Sequence, residues 1–482
     1  MVRFLLLLPC FIFSFFLSFA QDAHYWSSNY GPGVMLTPGS VIASNGDSGV
    51  LFYNPALLSH SNKGRIAISS ITANIYQLES IKVKDGTGTG MDLKSRSIRI
   101  VPQMLSGSVS LGKKAPVVVA YALINAPGMR MQASQRRDDR FNVLDDDYSP
   151  GPEFYTGDYV TENRVSNITA LLSTGFRLSP QLSAGFSMEA QLHEQRYSVN
   201  YHSRALANAD VDSSTLPIVS SDGYYLATYS HLGLQFKAGL AYDAGRHHLG
   251  LMVSSPLVHL WGSGTIVNDL MLSNIRITDG IFLDQLANAR QDKLPAKWKV
   301  PLSIGAGYAY DYGRGQLYLA AEYFLRVKAY NVLTPRNEAF IRPDTGNNRE
   351  STINLLRLID QRKAVVNFAL GASYRLRPSV TAYCAFRTDM SYAERDVPED
   401  TYSNEAYTAY WNNLHCALGA NFRQKKFNFR TGLLLAYGLT SNYPQDINFD
   451  HPNEGNLLLG DTRNVKARRF SLGFMLSYIH NL

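Results

Sequence analysis

The chain has 482 residues, is 45% hydrophobic and 12% aromatic, and carries a formal net charge of +7. Its basic residues are scattered rather than gathered into stripes with aromatics, which argues against a nucleic-acid surface. Of its three cysteines, Cys384 and Cys416 fall in strand-like segments at lipid-facing positions and read as small apolar side chains rather than a disulfide.

Residues 1–20 read as a secretory signal peptide. Arg3 gives a positive start, Phe4 to Phe19 is mostly Leu, Phe and Ile, and Ser18-Phe19-Ala20 is a small-residue cleavage site. Cys10 has no lipobox around it, so no lipid anchor is expected. No later stretch approaches the roughly 18 consecutive apolar residues of a membrane helix.

Residues 21–63 show no ten-residue alternation. They hold Gly, Ser and Asn clusters and the apolar stretch GVLFYNPALL at 49–58. Pro55 has no N–H and pushes Asn54 out of the helical region, so the chain must turn sharply there. Asn54-Pro55-Ala56 is therefore the candidate motif of an N-terminal plug, or hatch, threaded into whatever lumen the rest of the chain encloses.

From residue 64 onward the chain alternates with period two. Phe470, Leu472, Phe474, Leu476 and Tyr478 fall on one face, and Ser471, Gly473 and Ser477 on the other. The same pattern recurs around Leu182–Met188, Leu317–Leu325, Phe368–Tyr374, Leu414–Phe422 and Phe427–Tyr437. In an outer-membrane barrel such strands turn the apolar face to lipid and the polar or small face to the lumen. Short Gly, Pro, Lys, Arg and Asp turns occur at 112–116, 179–181, 243–247, 311–315, 377–379 and 423–426. Long polar loops are expected at 84–94, 132–162, 201–223, 262–297, 333–363, 389–410 and 440–464. Those thirteen connections imply fourteen antiparallel strands with both ends on the short-turn, periplasmic side. The expected fold is all-β: a 14-stranded antiparallel transmembrane β-barrel over 64–482 with the hatch in its lumen.

Many inward positions are glycines, among them Gly185, Gly239, Gly305, Gly307, Gly371, Gly419 and Gly432. They leave room for a plug, or else let the strands bend and coil. After Val117 to Leu123 the alternation is broken by Asn125-Ala126-Pro127-Gly128. Pro127 removes a ladder hydrogen bond and Gly128 tolerates a bend. That makes the pair either a strand kink that opens the wall sideways or the outer end of the strand. Glu189, Glu322, Arg326, Lys328 and Arg430 fall on inward parity and form the candidate polar lining of the lumen, either paired among themselves or offering an anion site for a carboxylate head group.

The segment Ala43-Ser44-Asn45-Gly46-Asp47-Ser48-Gly49-Val50-Leu51-Phe52-Tyr53-Asn54-Pro55-Ala56, placed between a signal peptide and fourteen strands, resembles the FadL/TodX long-chain fatty acid and hydrophobic-compound transporters of outer membranes. The resemblance is specific in this segment and topological elsewhere. It implies a monomer in the outer membrane, a hatch, an outer low-affinity site, a tighter site behind the hatch and a kinked third strand giving a lateral exit. It also implies hydrophobic small-molecule partners and outer-membrane lipid; no cofactor and no metal are expected. The chain departs from the family in ending on Leu482 where such barrels usually end in Phe. The same barrel type also resembles secretion-associated proteins that hold exported cargo at the cell surface, in which case the loops at 262–297 and 333–363 would bind a protein partner.

Other motifs give less. Residues 86–90, GTGTG, lack the preceding strand and following Lys-Ser/Thr of a phosphate cradle and read as a flexible loop. His193-Glu194 lacks the second His of a zinc helix, and Asp145-Asp146-Asp147 reads as a solvated acidic loop rather than a calcium site. No Ser-His-Asp or paired-carboxylate spacing suggests an enzyme.

Overall fold

The computed structural model describes residues 23–26, 42–44, 53–61, 67–111, 117–126, 128–208, 217–278, 281–338, 341–342, 352, 356–394, 404–405 and 410–481. The expected signal peptide, residues 45–52 of the segment 43–56, Pro127 and Leu482 lie outside them. Among the described residues fourteen strands follow one another around a closed antiparallel barrel. They are β1 (Ala67–Val83), β2 (Leu93–Leu111), β3 (Val117–Ala126 and Arg130–Phe141), β4 (Glu153–Arg177), β5 (Leu182–Leu206), β6 (Ile218–Ala244), β7 (His247–Ser254 and Val258–Thr278), β8 (Ile281–Pro295 and Ser303–Asp311), β9 (Gly315–Phe324), β10 (Val365–Arg377), β11 (Val380–Asp389), β12 (Asn412–Arg423), β13 (Phe427–Pro444) and β14 (Asn464–Asn481). β14 pairs back onto β1, with Ser70 opposite Ile479, and this leaves the sheet no edge.

The alternation decides which face is which. Along β14, Phe470 and Tyr478 are exposed while Ser471 and Ser477 are buried. Leu172, Phe186, Leu240, Leu251, Ile304, Leu319, Phe368 and Leu433 are likewise exposed, so an apolar belt runs around the outside. A belt of that extent in water would drive association; on a closed barrel it is the lipid-facing surface. Cys384 and Cys416 sit on this belt and are unbonded.

Strand extents differ from expectation. Gln132 pairs with Glu162, Tyr201 with Gly223, and β7 and β8 rise as one hairpin as far as Thr278 and Ile281. Much of what reads as loop at 132–162, 201–223 and 262–297 is therefore strand. Above the acyl chains the outward face meets water and turns polar while the inward face stays buried, so the hydrophobic outer stripe stops while the hydrogen-bond ladder continues. The expected loop at 333–363 contributes Leu358–Arg362 to a small sheet with Val327–Leu333 and Asn404–Glu405. That sheet, with the neighbouring Leu356, packs Val332, Leu333 and Leu358 against Tyr229, Leu294 and Trp298 in the outer half of the barrel.

Residues 445–463 fold over the outer mouth. Ile447, Phe449 and Leu458 join a buried cluster with Tyr155, Tyr159 and Trp411. The GTGTG stretch is docked rather than loose. The Thr89 N–H donates to both Asp450 oxygens at 2.8 and 2.9 Å, and the Thr89 hydroxyl to Oδ2 at 2.8 Å. Gly88, at φ 142°, brings the backbone so close to Asp450 that a Cβ would lie 2.9 Å from Oδ1. Partial burial would raise the Asp450 carboxyl, but the Thr89 hydrogen bonds and the Arg137 and Arg463 guanidinium groups outweigh it and hold it below the usual carboxylate range. Asp145 and Asp147 are paired with Arg276.

Candidate functional site: the plugged lumen and the break in its wall

The Asn-Pro-Ala stretch forms a single 3-10 turn, Pro55–Leu57, with Pro55 at its first position and Asn54 as its cap. Asn54 is fully buried inside the barrel. Its Oδ1 accepts from the Ala56 N–H at 3.1 Å. Its Nδ2 donates to the Ile42 carbonyl at 2.8 Å and to the Leu240 carbonyl of β6 at 3.0 Å. One side chain thus closes the turn, ties it to residue 42 and ties both to the wall. Ala56, Leu57 and Leu58 pack on Met104, Ala120, Ile124 and Leu171.

Glycine makes this contact possible. Gly175, Gly185 and Gly239 stand opposite one another on β4, β5 and β6. A Cβ on Gly175 would lie 2.7 Å from the Pro55 oxygen, and Cβ atoms on Gly185 and Gly239 would overlap the Pro55 carbonyl carbon and Asn54 Oδ1. On β8, a Cβ on Gly307 would come within 2.8 Å of Ile42 Cβ, and one on Gly305 within 3.1 Å of Ile42 Cδ1. These inward glycines accordingly lie against the N-terminal segment.

Farther toward the outer mouth, residues 23–26 cross the lumen. The Trp26 indole donates to Glu322 Oε2 at 2.7 Å and its backbone N–H to Asp389 Oδ1 at 3.0 Å. Tyr25 stacks on Phe324 with ring centroids 4.1 Å apart. Between these residues and Tyr53 lies a cavity of about 120 Å³. Its lining combines aromatic residues (Tyr25, Trp26, Trp298 and Phe324) with polar ones (Asn167, Gln191, Gln235 and Ser254) and the charged Lys237, Glu322 and Arg362. Trp298 stacks on His193 at 4.1 Å. The Ser254 hydroxyl, on a residue 2% exposed, has no hydrogen-bond partner among the described residues.

Of the expected lining acids, Glu322 borders this space, while Glu189 is buried behind the lining residue Lys237. Glu189 pairs with Lys237 at 2.7 Å, and Glu322 accepts from Trp26 and from Ser303 Oγ at 2.7 Å. Arg430 is buried on the lumen side of β13 but does not line the cavity. Arg326 and Lys328 do not line the lumen. β9 ends at Phe324, and the chain resumes pairing at Val327, which is buried, so the break moves the inward parity by one residue. Arg326 is 60% exposed and paired with Glu394 at 2.9 Å, and Lys328 is exposed too.

Ala126 and Gly128 also line the cavity. There the wall is discontinuous. Ala126 pairs with Asn167 and Arg130 with Arg164, so three residues of β3 stand against two of β4. The β2–β3 ladder stops at Met104 and Ile124, and beyond it, among the described residues, Arg130–Phe141 pairs only with β4. Side chains span the gap: Gln132 N–H donates to Ser95 Oγ at 3.1 Å, and Gln135 Nε2 to the Asp92 carbonyl at 2.7 Å. At the break itself, Arg99 donates to the Gly128 carbonyl at 2.9 Å and to Glu79 Oε2 at 3.0 Å, while Arg469 donates to Glu79 Oε1 at 2.8 Å. Sequence reasoning missed this charged latch, because its members come from β1, β2 and β14 and only closure of the barrel brings them together.

With the closed barrel, the lumenal N-terminal segment and the interrupted third strand in view, solved structures supply the comparison. A Pseudomonas aeruginosa FadL homologue superposes with a TM-score of 0.55 at 13% identity, covering 96% of this chain and 98% of that one. The fold is that of the FadL/TodX-type outer-membrane barrels. The Ralstonia pickettii toluene transporter TbuX matches at TM-score 0.54 and 12% identity over 95% of this chain and 99% of its own. The Pseudomonas putida toluene transporter TodX matches at 0.51 and 14% over 97% and 100%. No family model and no curated protein matches the sequence. The FadL/TodX-type likeness is thus one of architecture, carried by topology rather than by shared residues.

Proposed function

We propose that this barrel passes small hydrophobic compounds inward across the outer membrane, with residues 21–63 as the hatch and the β3 break as a lateral exit. The observation that carries the reading is the cavity. It is bounded by Tyr53 and residues 24–26 on the hatch side and by Ala126 and Gly128 at the break, so a ligand there sits between gate and exit. An apolar guest is stabilised by about 0.8 kcal/mol per buried methylene, and no energy source is needed. A cavity on the order of 150 Å³ holds a single benzene ring. The present space therefore suits one ring, and a long-chain fatty acid enters only if the hatch first shifts.

The test is uptake of radiolabelled toluene and oleate into proteoliposomes. Deleting Gly128 and replacing Pro127→Thr sets two β3 residues against two of β4 and makes the strand continuous. Uptake should fall about tenfold or more while heat-modifiable gel mobility still reports a folded barrel. Unchanged uptake would overturn the lateral exit, and unchanged uptake after Asn54-Pro55-Ala56 is replaced by three glycines would overturn the hatch. Recovery of a stably crosslinked secretion partner, with neither probe taken up, would replace this reading with the cargo-holding one.

A further inference from the structure

The barrel wall is interrupted a second time, at one level in three neighbouring strands: between Ser254 and Val258 of β7, between Pro295 and Ser303 of β8, and after Phe324 of β9. Just below, Val253, Ile304 and Tyr323 stand side by side on the outer face and are all exposed as part of the apolar belt, which β7 continues past the interruption with Val258, Leu260 and Trp261. Outside the interruption lies a groove of about 440 Å³. Its floor is apolar, with Leu257, Val300, Pro301, Leu302 and Leu325. Its lining also holds four cations, Lys297, Lys299, Arg326 and Lys328. The facing acid, Glu394, is paired with Arg326 at 2.9 Å, and His259 is the other titratable group of the lining. Lys299 Nζ lies 4.4 Å over the Tyr330 ring.

We infer that this groove binds an anionic, acyl-bearing lipid of the outer leaflet, with its headgroup phosphate on Lys297, Lys299, Arg326 and Lys328 and its chain on the apolar floor. The argument rests on charge and level. Four cations against one acid is an unbalanced cluster, and clustered Lys and Arg at a membrane surface attract anionic headgroups. Polar cations directly above an apolar surface match a lipid in which phosphate lies directly above acyl chain. A free phosphate would use the cations and leave the floor uncovered. A neutral hydrophobic substrate would use the floor and leave the cations unused. The sequence supplies both halves in two short runs, Lys297-Trp298-Lys299-Val300-Pro301 and Leu325-Arg326-Val327-Lys328, and only the interruption of the strands turns them to one side.

The test is native mass spectrometry of the full chain in detergent, titrated with diphosphoryl lipid A, with dephosphorylated lipid A and with inorganic phosphate. One diphosphoryl lipid A should be retained preferentially. The combined variant Lys297→Gln, Lys299→Gln, Arg326→Gln, Lys328→Gln should weaken retention by roughly tenfold or more, and rising salt should do the same. Restoring the charges as arginine at all four positions should recover it, which a folding defect would not. Equal retention by the glutamine variant, equal binding of the dephosphorylated lipid, or displacement by palmitate would each overturn the inference. Uptake of toluene by the glutamine variant is expected to stay within twofold, so the groove and the transport reading can fail separately.

Discussion

β4, β5 and β6 pair residue for residue along their whole length without a register shift, whereas β1, β2 and β3 carry shifts at Thr72/Ala73 and Asn74/Gln77 and a three-against-two break at 127–129. The regular wall is where Gly175, Gly185 and Gly239 receive the Asn-Pro-Ala turn. The irregular wall is where the cavity reaches Gly128. A continuous ladder holds its backbone to a fixed surface, which a plug needs in order to seat. A ladder that stops and is bridged by side chains can separate at the cost of a few hydrogen bonds and ion pairs. The contrast places rigidity under the Asn-Pro-Ala turn and weakness beside the cavity.

The largest expected effect is in the weak wall. Glu79→Ala leaves Arg99 and Arg469 without their shared carboxylate, a loss of about 3–5 kcal/mol for a buried ion cluster. Hydrogen exchange should quicken in 93–103 and 130–141 while β4 to β6 stay protected; equal loosening everywhere would erase the distinction between the walls. Next comes the regular wall itself. Gly185→Leu forces a side chain into the Pro55 backbone, and overpacking of this kind costs about 1–3 kcal/mol. If that strain expels the turn rather than unfolding the barrel, liposomes bearing the variant swell faster in a small hydrophilic solute, and no change in swelling would mean that the turn does not seal the lumen. Asn54→Ala removes the cap and both long-range hydrogen bonds of Asn54, about 1–3 kcal/mol of hatch docking. Limited proteolysis should then cut within 21–63 before it cuts the barrel; simultaneous cutting would show that the hatch does not come loose on its own.

The smallest effect concerns the outer cap. The Asp450 carboxyl titrates lower in the folded protein than in the unfolded chain, so its contribution is complete above the unfolded value and lost as pH falls through the depressed folded one. Acidification below about pH 4 should therefore loosen 445–463 from 86–90, and Asp450→Asn should abolish that pH dependence. Fluorescence of a label on residue 455 would follow it, and an identical acid transition in the variant would dismiss the carboxylate clamp.

Alternation, turn chemistry and chain length were sufficient to fix an all-β, fourteen-stranded barrel, because period-two burial is a local property of each strand and the short turns carry their own Gly, Pro, Asp or, at 423–426, Arg and Lys. The inward glycines Gly185, Gly239, Gly305 and Gly307 were legible for the same reason. What the sequence could not carry was anything that depends on where alternation ceases to track the wall. The outer strand extensions were read as loops because their outward face meets water and carries no apolar stripe. Arg326 and Lys328 were placed on the wrong face because the break after Phe324 shifts parity. The Glu79–Arg99–Arg469 latch, the cavity and the cation groove each join side chains from strands far apart in the chain, and only barrel closure and register set those distances.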